Sequence, residues 1–240
     1  SADRPLVELS FTVDWRESGM LAKLVFPLDI NADCSTGEIA FGCAKRSLDS
    51  NTSWQQAQYE LCAHRWMDVS EGGYGVSFLN DCKYGFDAKD GVVRLSLIKA
   101  GRAPFPGVDK GEHRFSYAVF PHPEGWERAG TVGLAMAMNR PVRVLDGAAA
   151  GADAFSFVRC DAENVVVDTV KYAEDDNGTI LRLYEAENRR SRFSLRFARR
   201  FSRISTCDLL ERSERTLARD ADSVELEIKP FEIVSLRLEG

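Results

Sequence analysis

Apolar residues recur at every second position along nearly the whole chain, and no other feature constrains its fold so strongly. VELSFTVDW alternates through Val7, Leu9, Phe11 and Val13. A strand sends successive side chains to opposite faces, so such a run buries one face and wets the other. MLAKLVFPLDI follows after ESG. Then come GEIAFGCA, GYGVSFLN, GVVRLSLI, HRFSYAVFP, FSFVRC, NVVVDTVKYA, GTILRLYEAEN, RFSLRFA, SVELEIKP and FEIVSLRLE. The spacers KDG, GVDKG and DDNG supply Gly, Asn and Asp, the residues that tolerate positive φ in tight turns. Helical periodicity is nearly absent: SNTSWQQAQYE has room for a turn or two, and GTVGLAMAMNRPVRV is ambiguous until Pro141 stops it. So many short strands predict an all-β fold, a large antiparallel β-sandwich with a small terminal β unit. The patternless stretch RPVRVLDGAAAGADAFSF marks the expected boundary. It divides residues 1–145, the large sandwich region, from 146–240, the remainder of the sandwich plus a C-terminal β unit.

At 240 residues the chain is long enough for a sizeable core. A formal net charge of −6 argues against nucleic-acid and anionic-membrane partners, and the basic cluster ENRRSRFSLRFARRF is flanked by acids, as a solvated strand face would be. The six cysteines are scattered with no CxxC, and the chain has three histidines. They read as reduced, mostly buried thiols in a cytoplasmic protein, and a zinc site at Cys62 and His64 lacks partners at finger-like spacing. No apolar run approaches the ~18 residues that a membrane span needs, and no signal peptide is present. The triplets NTS (51–53) and NGT (177–179) match the glycosylation sequon and are set aside for want of a secretory signal. The chain enters its first strand pattern without an initiating methionine, as a segment cut from a longer protein would.

Four polar and aromatic clusters interrupt the strands: NTSW (51–54), AHRWMDVSEGGYG (63–75), NDCKYGFD (80–87) and DKGEHRFSYAVFPH (109–122). A rigid β scaffold presents function on such connections. Trp54 and Trp66 are stacking platforms for a sugar or, as any single Trp more often is, core residues. In an extended NDCKYG, Asp81 and Lys83 share one face, with Asn80, Cys82 and Tyr84 on the other. Asp87 and Asp90 fit turn positions. His113 stands at a strand entrance, where a fold-locking hydrogen bond is as common as a ligand contact. Carboxylate pairs perform glycoside hydrolysis only at a defined separation, which nothing here signals. No GxSxG, P-loop, HExxH or dinucleotide-binding glycine pattern occurs.

Read together, NTSW, HRWMDVSEGGYGVSFLNDCKYGFD, GVVRLSLIKA, DKGEHRFSYAVFPH, VDTVKYAEDDNGTILRLYE and PFEIVSLRLE resemble, in order, the C-terminal β region of family 38 glycoside hydrolases, the retaining α-mannosidases. The resemblance runs from about Phe11 to Leu238 and is closest to the cytoplasmic and bacterial branch. It implies a galactose-mutarotase-like supersandwich. It also implies that the catalytic carboxylates and a zinc ion with its His and Asp ligands belong to N-terminal domains absent from this sequence. No catalytic residue, metal ligand or cofactor is therefore expected here. The expected partners are the chain's own N-terminal catalytic domains, an α-mannoside and a second copy in a homo-oligomer. The resemblance further implies that a few β-region loops reach the rim of the sugar site. Asn80, Asp81, Lys83 and Tyr84 are the candidate rim residues, with His113 beside them, and a domain-interface lock is the competing role. A free-standing carbohydrate-binding or mutarotase-like module, using His113 with Glu112 or Asp109, is the alternative function.

Overall fold

The structure is a computed structural model describing residues 5–144 and 154–240. The chain divides into two compact units, Ser1–Arg143 and Val144–Gly240, and the expected boundary at residues 145–146 lies outside the described residues.

The first unit begins with strands β1 (Val7–Trp15), β2 (Met20–Pro27), β3 (Cys34–Ile39) and β4 (Gly42–Ser47). A short helix α1 (Ser53–Ala57) leads into β5 (Leu61–Cys62), β6 (Trp66–Ser70), β7 (Tyr74–Asn80), β8 (Gly85–Lys89), β9 (Val92–Ala100) and β10 (Gly111–Pro123). Helices α2 (Trp126–Ala129) and α3 (Thr131–Asn139) close the unit. The strands form two antiparallel sheets, ordered β1-β10-β7-β6-β3-β4 and β2-β9-β8-β5. GEIAFGCA, which reads as one strand, is instead a hairpin, because Phe41 takes a positive φ of 56° at the bend. The β8–β9 hairpin turns on two residues, Asp90 and Gly91, with φ of 56° and 70°. Positive φ at both positions gives a turn whose twist matches the flanking strands.

Met67, Val69, Val76, Phe78, Phe115 and Tyr117 of the six-stranded sheet meet Phe86, Val93, Leu95 and Ile98 of the four-stranded one in a single buried core. That makes the unit a sandwich. The alternate residues of the six-stranded sheet are buried too. Trp66, Leu79, Ala118 and Phe120 pack under Trp126 and Ala135 of the helices. The Trp66 and Trp126 ring centroids are 4.6 Å apart. The ambiguous GTVGLAMAMN therefore becomes a helix, because it covers the second face of a sheet rather than pairing with its edge.

The second unit holds β11 (Val158–Cys160), β12 (Val165–Tyr172), β13 (Thr179–Glu185), β14 (Ser191–Cys207), β15 (Ser213–Ile228) and β16 (Ile233–Glu239). The order is β11-β14-β16-β13-β12, with β15 on β14. The alternation of RFSLRFA and SVELEIKP marks only parts of two strands of 17 and 16 residues. Register shifts break their pairing after Arg196 and again after Ile204. Such bulges bend and twist a strand. β15 pairs with β14 from Ser191 to Cys207, and the end of β14, from Arg203 to Cys207, also pairs with β16. Phe193, Leu195, Phe201 and Ile204 from both halves then fall into one buried cluster with Leu181, Leu226 and Leu236.

Candidate functional site

The NDCKYGFD segment connects β7 to β8, and most of its polar atoms have local work. Asn80 is buried; its amide donates to the His64 carbonyl at 2.7 Å and its oxygen accepts from the Lys83 N–H at 2.9 Å. Asn139 of α3 donates to the Asn80 carbonyl at 2.9 Å, tying the loop to the helix. The Asp81 carboxylate accepts the backbone N–H of Ser116 at 2.9 Å and lines a cleft of about 410 Å³ with Glu8, Ser116, Leu134 and Met138. Asp87 is not a turn former. It is buried in β8 between Lys23 Nζ at 2.6 Å and Arg94 Nη1 at 2.7 Å.

What the loop leaves available is smaller. The Lys83 ammonium rests 5.1 Å from the centroid of the Phe115 ring, while its backbone carbonyl accepts from the Tyr117 hydroxyl at 3.3 Å. Tyr84 is 47% exposed, with its ring centroid 5.7 Å from that of His64. His113 is half-buried on β10, two residues from Phe115, so both project from the same strand face. Its Nε2 lies 2.7 Å from the Asp109 carbonyl. Glu112 turns the other way and accepts from Arg114 Nε at 2.8 Å. Lys83 thus covers the Phe115 ring, His113 shares that residue's strand face, Tyr84 approaches His64, and Asn80 serves the loop itself. Partial burial of the Cys82 thiol, with the Asp81 carboxylate beside it, pushes its pKa up to about 11. Burial also pushes the Tyr117 phenol up, with Cys82 and Asp81 adding to the effect.

A second polar group went unmarked in the sequence. Asp68, Ser77, His122 and Thr131 are all buried between the six-stranded sheet and α3. Asp68 and Ser77 are cross-strand partners, and Ser77 Oγ donates to Asp68 Oδ2 at 2.7 Å. His122 Nε2 lies 2.8 Å from the same Asp68 oxygen and 3.1 Å from Ser77 Oγ. Thr131, the first residue of α3, is 2.8 Å from Ser77 Oγ, and Ser70 Oγ donates to Asp68 Oδ1. Facing a carboxylate oxygen, Nε2 donates to it, and Nδ1 is buried with no hydrogen-bond partner among the described residues. Glycine is required at position 75: a Cβ there would stand 2.5 Å from His122 Cε1 and 2.2 Å from Ser70 Oγ. In a Ser-His-Asp relay the carboxylate and the hydroxyl sit on opposite ring nitrogens. Here both meet Nε2, so the arrangement cannot pass a proton from Ser77 through His122 to Asp68. It fastens α3 to the sheet. The available signal was Asp68 and Ser77 themselves, polar residues within strands whose two faces are both buried.

Among the described residues no group of three or more His, Cys, Asp or Glu side chains is placed to hold a metal ion. None of the six cysteines forms a disulfide, and of the six only Cys207 is buried, so the expectation of mostly buried thiols does not hold. No described helix is long and apolar enough to cross a membrane.

Two family descriptions match the chain: "Glycosyl hydrolases family 38 C-terminal domain" over residues 1–106 and "Glycosyl hydrolases family 38 C-terminal beta sandwich domain" over residues 164–236. Alpha-mannosidase 2C1 of Homo sapiens is 36% identical, covering 98% of this chain and 23% of the relative. Alpha-mannosidase of Saccharomyces cerevisiae is 33% identical, over 97% of this chain and 24% of its own length. The crystal structure of an alpha-mannosidase from Enterococcus faecalis V583 superposes with a TM-score of 0.80 at 16% identity, covering 98% of this chain and 27% of that one; at such identity the likeness speaks to fold alone. The chain spans about a quarter of the length of the relatives it matches.

Proposed function

Because the chain belongs to the C-terminal region of glycosyl hydrolase family 38, we propose that it is the non-catalytic β portion of a retaining α-mannosidase that hydrolyses terminal α-linked mannose. Its partners are its own N-terminal catalytic domains and an α-mannoside. The curated relatives that it matches end to end are alpha-mannosidases about four times its length, which supports this reading. Zinc belongs to the catalytic domains. The described residues do not offer a fitting donor set, so no step is routed through a metal in this chain.

The β region supports the catalytic domains and supplies rim contacts to the sugar. One observation carries the rim assignment: the loop after β7 is held by the buried Asn80 amide, while the side chains of Lys83 and Tyr84 remain partly exposed. An ammonium and a phenol suit sugar hydroxyls, Asp81 opens on the adjoining cleft, and His113 shares the strand face of Phe115, the ring that Lys83 covers. Asn80 acts by positioning the others. Disulfide-free cysteines support a cytoplasmic location, and self-association of the isolated chain belongs to the same proposal.

The test is steady-state kinetics of the full-length gene product on p-nitrophenyl α-mannoside with Lys83→Ala, Tyr84→Ala and His113→Ala. Rim contacts predict a several-fold rise in KM with kcat nearly unchanged. Unaltered KM, together with weaker association between separately expressed catalytic and β portions, would make the loop an interface lock instead.

A further inference from the structure

At the far end of β8 from NDCKYG lies a cleft of about 370 Å³, within the size range of small-molecule sites. Three connections converge there: β2–β3, β4–α1 and the Asp90–Gly91 turn. The floor is apolar, made by Leu28, Val69, Ala88 and Val93 at the end of the sandwich core. The rim is polar and exposed, with Asn31, Asp49, Asn51 and Asp90.

The rim is prearranged. Thr52 and Gln55 form a capping box that fixes the start of α1, and the Gln55 side-chain oxygen accepts from the backbone N–H of Asn51 at 3.0 Å. Lys89 Nζ donates to the Gln55 carbonyl at 3.3 Å, fastening α1 to the β8 side of the cleft. The Asn31 N–H donates to Glu71 Oε2 at 2.8 Å. Both asparagines are held through their backbone N–H groups, and both are exposed residues of the cleft lining. Three residues past Asn51, outside the residues that line the cleft, stands Trp54, 84% exposed on this locked helix.

We infer that this end of the sandwich binds a neutral sugar residue, at a site separate from the loop after β7. Planar amides and carboxylates pair with adjacent hydroxyls, and an apolar floor accepts C–H faces; Trp54, on the helix that Asn51 leads into, is the nearby reporter. An anion would meet Asp49 and Asp90. A bare cation would lack a donor set, since no group of three or more ligating side chains occurs among the described residues. Lys89 Nζ is tied to the Gln55 carbonyl and offset by Asp49 and Asp90 in the same lining, so the rim is suited to an uncharged, hydroxyl-rich ligand.

The experiment labels the full-length gene product with 5-fluorotryptophan and reads Trp54 by ¹⁹F NMR, assigned by the resonance that Trp54→Phe removes. Methyl α-mannoside and the methyl glycosides of glucose, galactose and N-acetylglucosamine are titrated in turn. At least one is expected to shift the Trp54 resonance saturably, with Kd on the order of 1 mM. Asn51→Ala and Asp49→Ala should weaken that binding tenfold or more while leaving the sugar-free resonance in place. Lys83→Ala should leave it unchanged, which keeps this outcome separate from the rim assignment. Absence of a saturable shift with every glycoside would overturn the inference. So would a Trp54 resonance with no H₂O/D₂O isotope shift, since the indole would then be covered by another part of the protein.

Discussion

The loop after β7 and the cluster beneath α3 are both knots of polar side chains, yet they differ in what surrounds them. Asp68, Ser77, His122 and Thr131 see no water, and each depends on the others for its hydrogen bonds. The loop commits Asn80 inward and leaves Lys83 and Tyr84 in contact with solvent. A buried polar group that loses its partner keeps the full desolvation penalty, whereas an exposed one recovers water. Chemistry that looks similar in the sequence therefore serves stability in one place and leaves surface for recognition in the other.

That contrast can be broken most forcefully at Asp68. Asp68→Ala would strip the acceptor from buried Ser77 and His122 together and should cost about 3 kcal/mol or more in the first unit. Denaturant unfolding followed by the fluorescence of the Trp66–Trp126 pair would measure it, and a loss below about 1 kcal/mol would mean that the cluster is not a fastener. Gly75→Ala comes next, at about 2–3 kcal/mol, because its methyl would run into His122 and Ser70. Asn80→Ala should cost about 2 kcal/mol by freeing the His64 carbonyl and the Lys83 N–H. In the full-length protein it should also raise KM with Lys83→Ala, as a positioning residue would.

A pH measurement sharpens the picture of the loop. The Cys82 thiol titrates near 11 in the folded chain, above its ordinary 9.0. A raised pKa means that the folded state holds the proton more tightly. This group's contribution to stability is complete below pH 9 and is lost as pH climbs through about 11. Alkylation of Cys82 by iodoacetamide should accordingly keep accelerating up to about pH 11, and Asp81→Asn should bring the midpoint down. A plateau near pH 9 in the parent protein would contradict the placement of Asp81 against the thiol. The smallest effect belongs to Tyr84→Ala, within about 0.5 kcal/mol of the parent in stability, since that side chain carries no buried hydrogen bond.

The alternation in VELSFTVDW and HRFSYAVFP was enough to foresee an antiparallel sandwich, because one apolar face per strand is what such a core consumes. Two things escaped that reasoning. Strands β6, β7 and β10 are buried on both faces, and alternation alone does not tell Asp68, Ser77 and His122 beneath α3 from polar residues that face water. The long β14 and β15 were read as shorter strands because their bulges interrupt the alternation. In the loop, residue types were legible but not their directions. Spacing put Asp81 and Lys83 on a common face, whereas the turn at Asn80 sends one to Ser116 and the other to Phe115. The order of the strand motifs, rather than any catalytic signature, carried the family resemblance.

The central claim is that this chain serves an α-mannosidase without containing its catalytic centre. The most direct test assays p-nitrophenyl α-mannoside hydrolysis by the 240-residue chain alone and by the full-length gene product at equal molar concentration. Turnover by the full-length protein and none above background by the chain is the predicted result. Hydrolysis by the isolated chain, abolished by a substitution within it, would contradict the account.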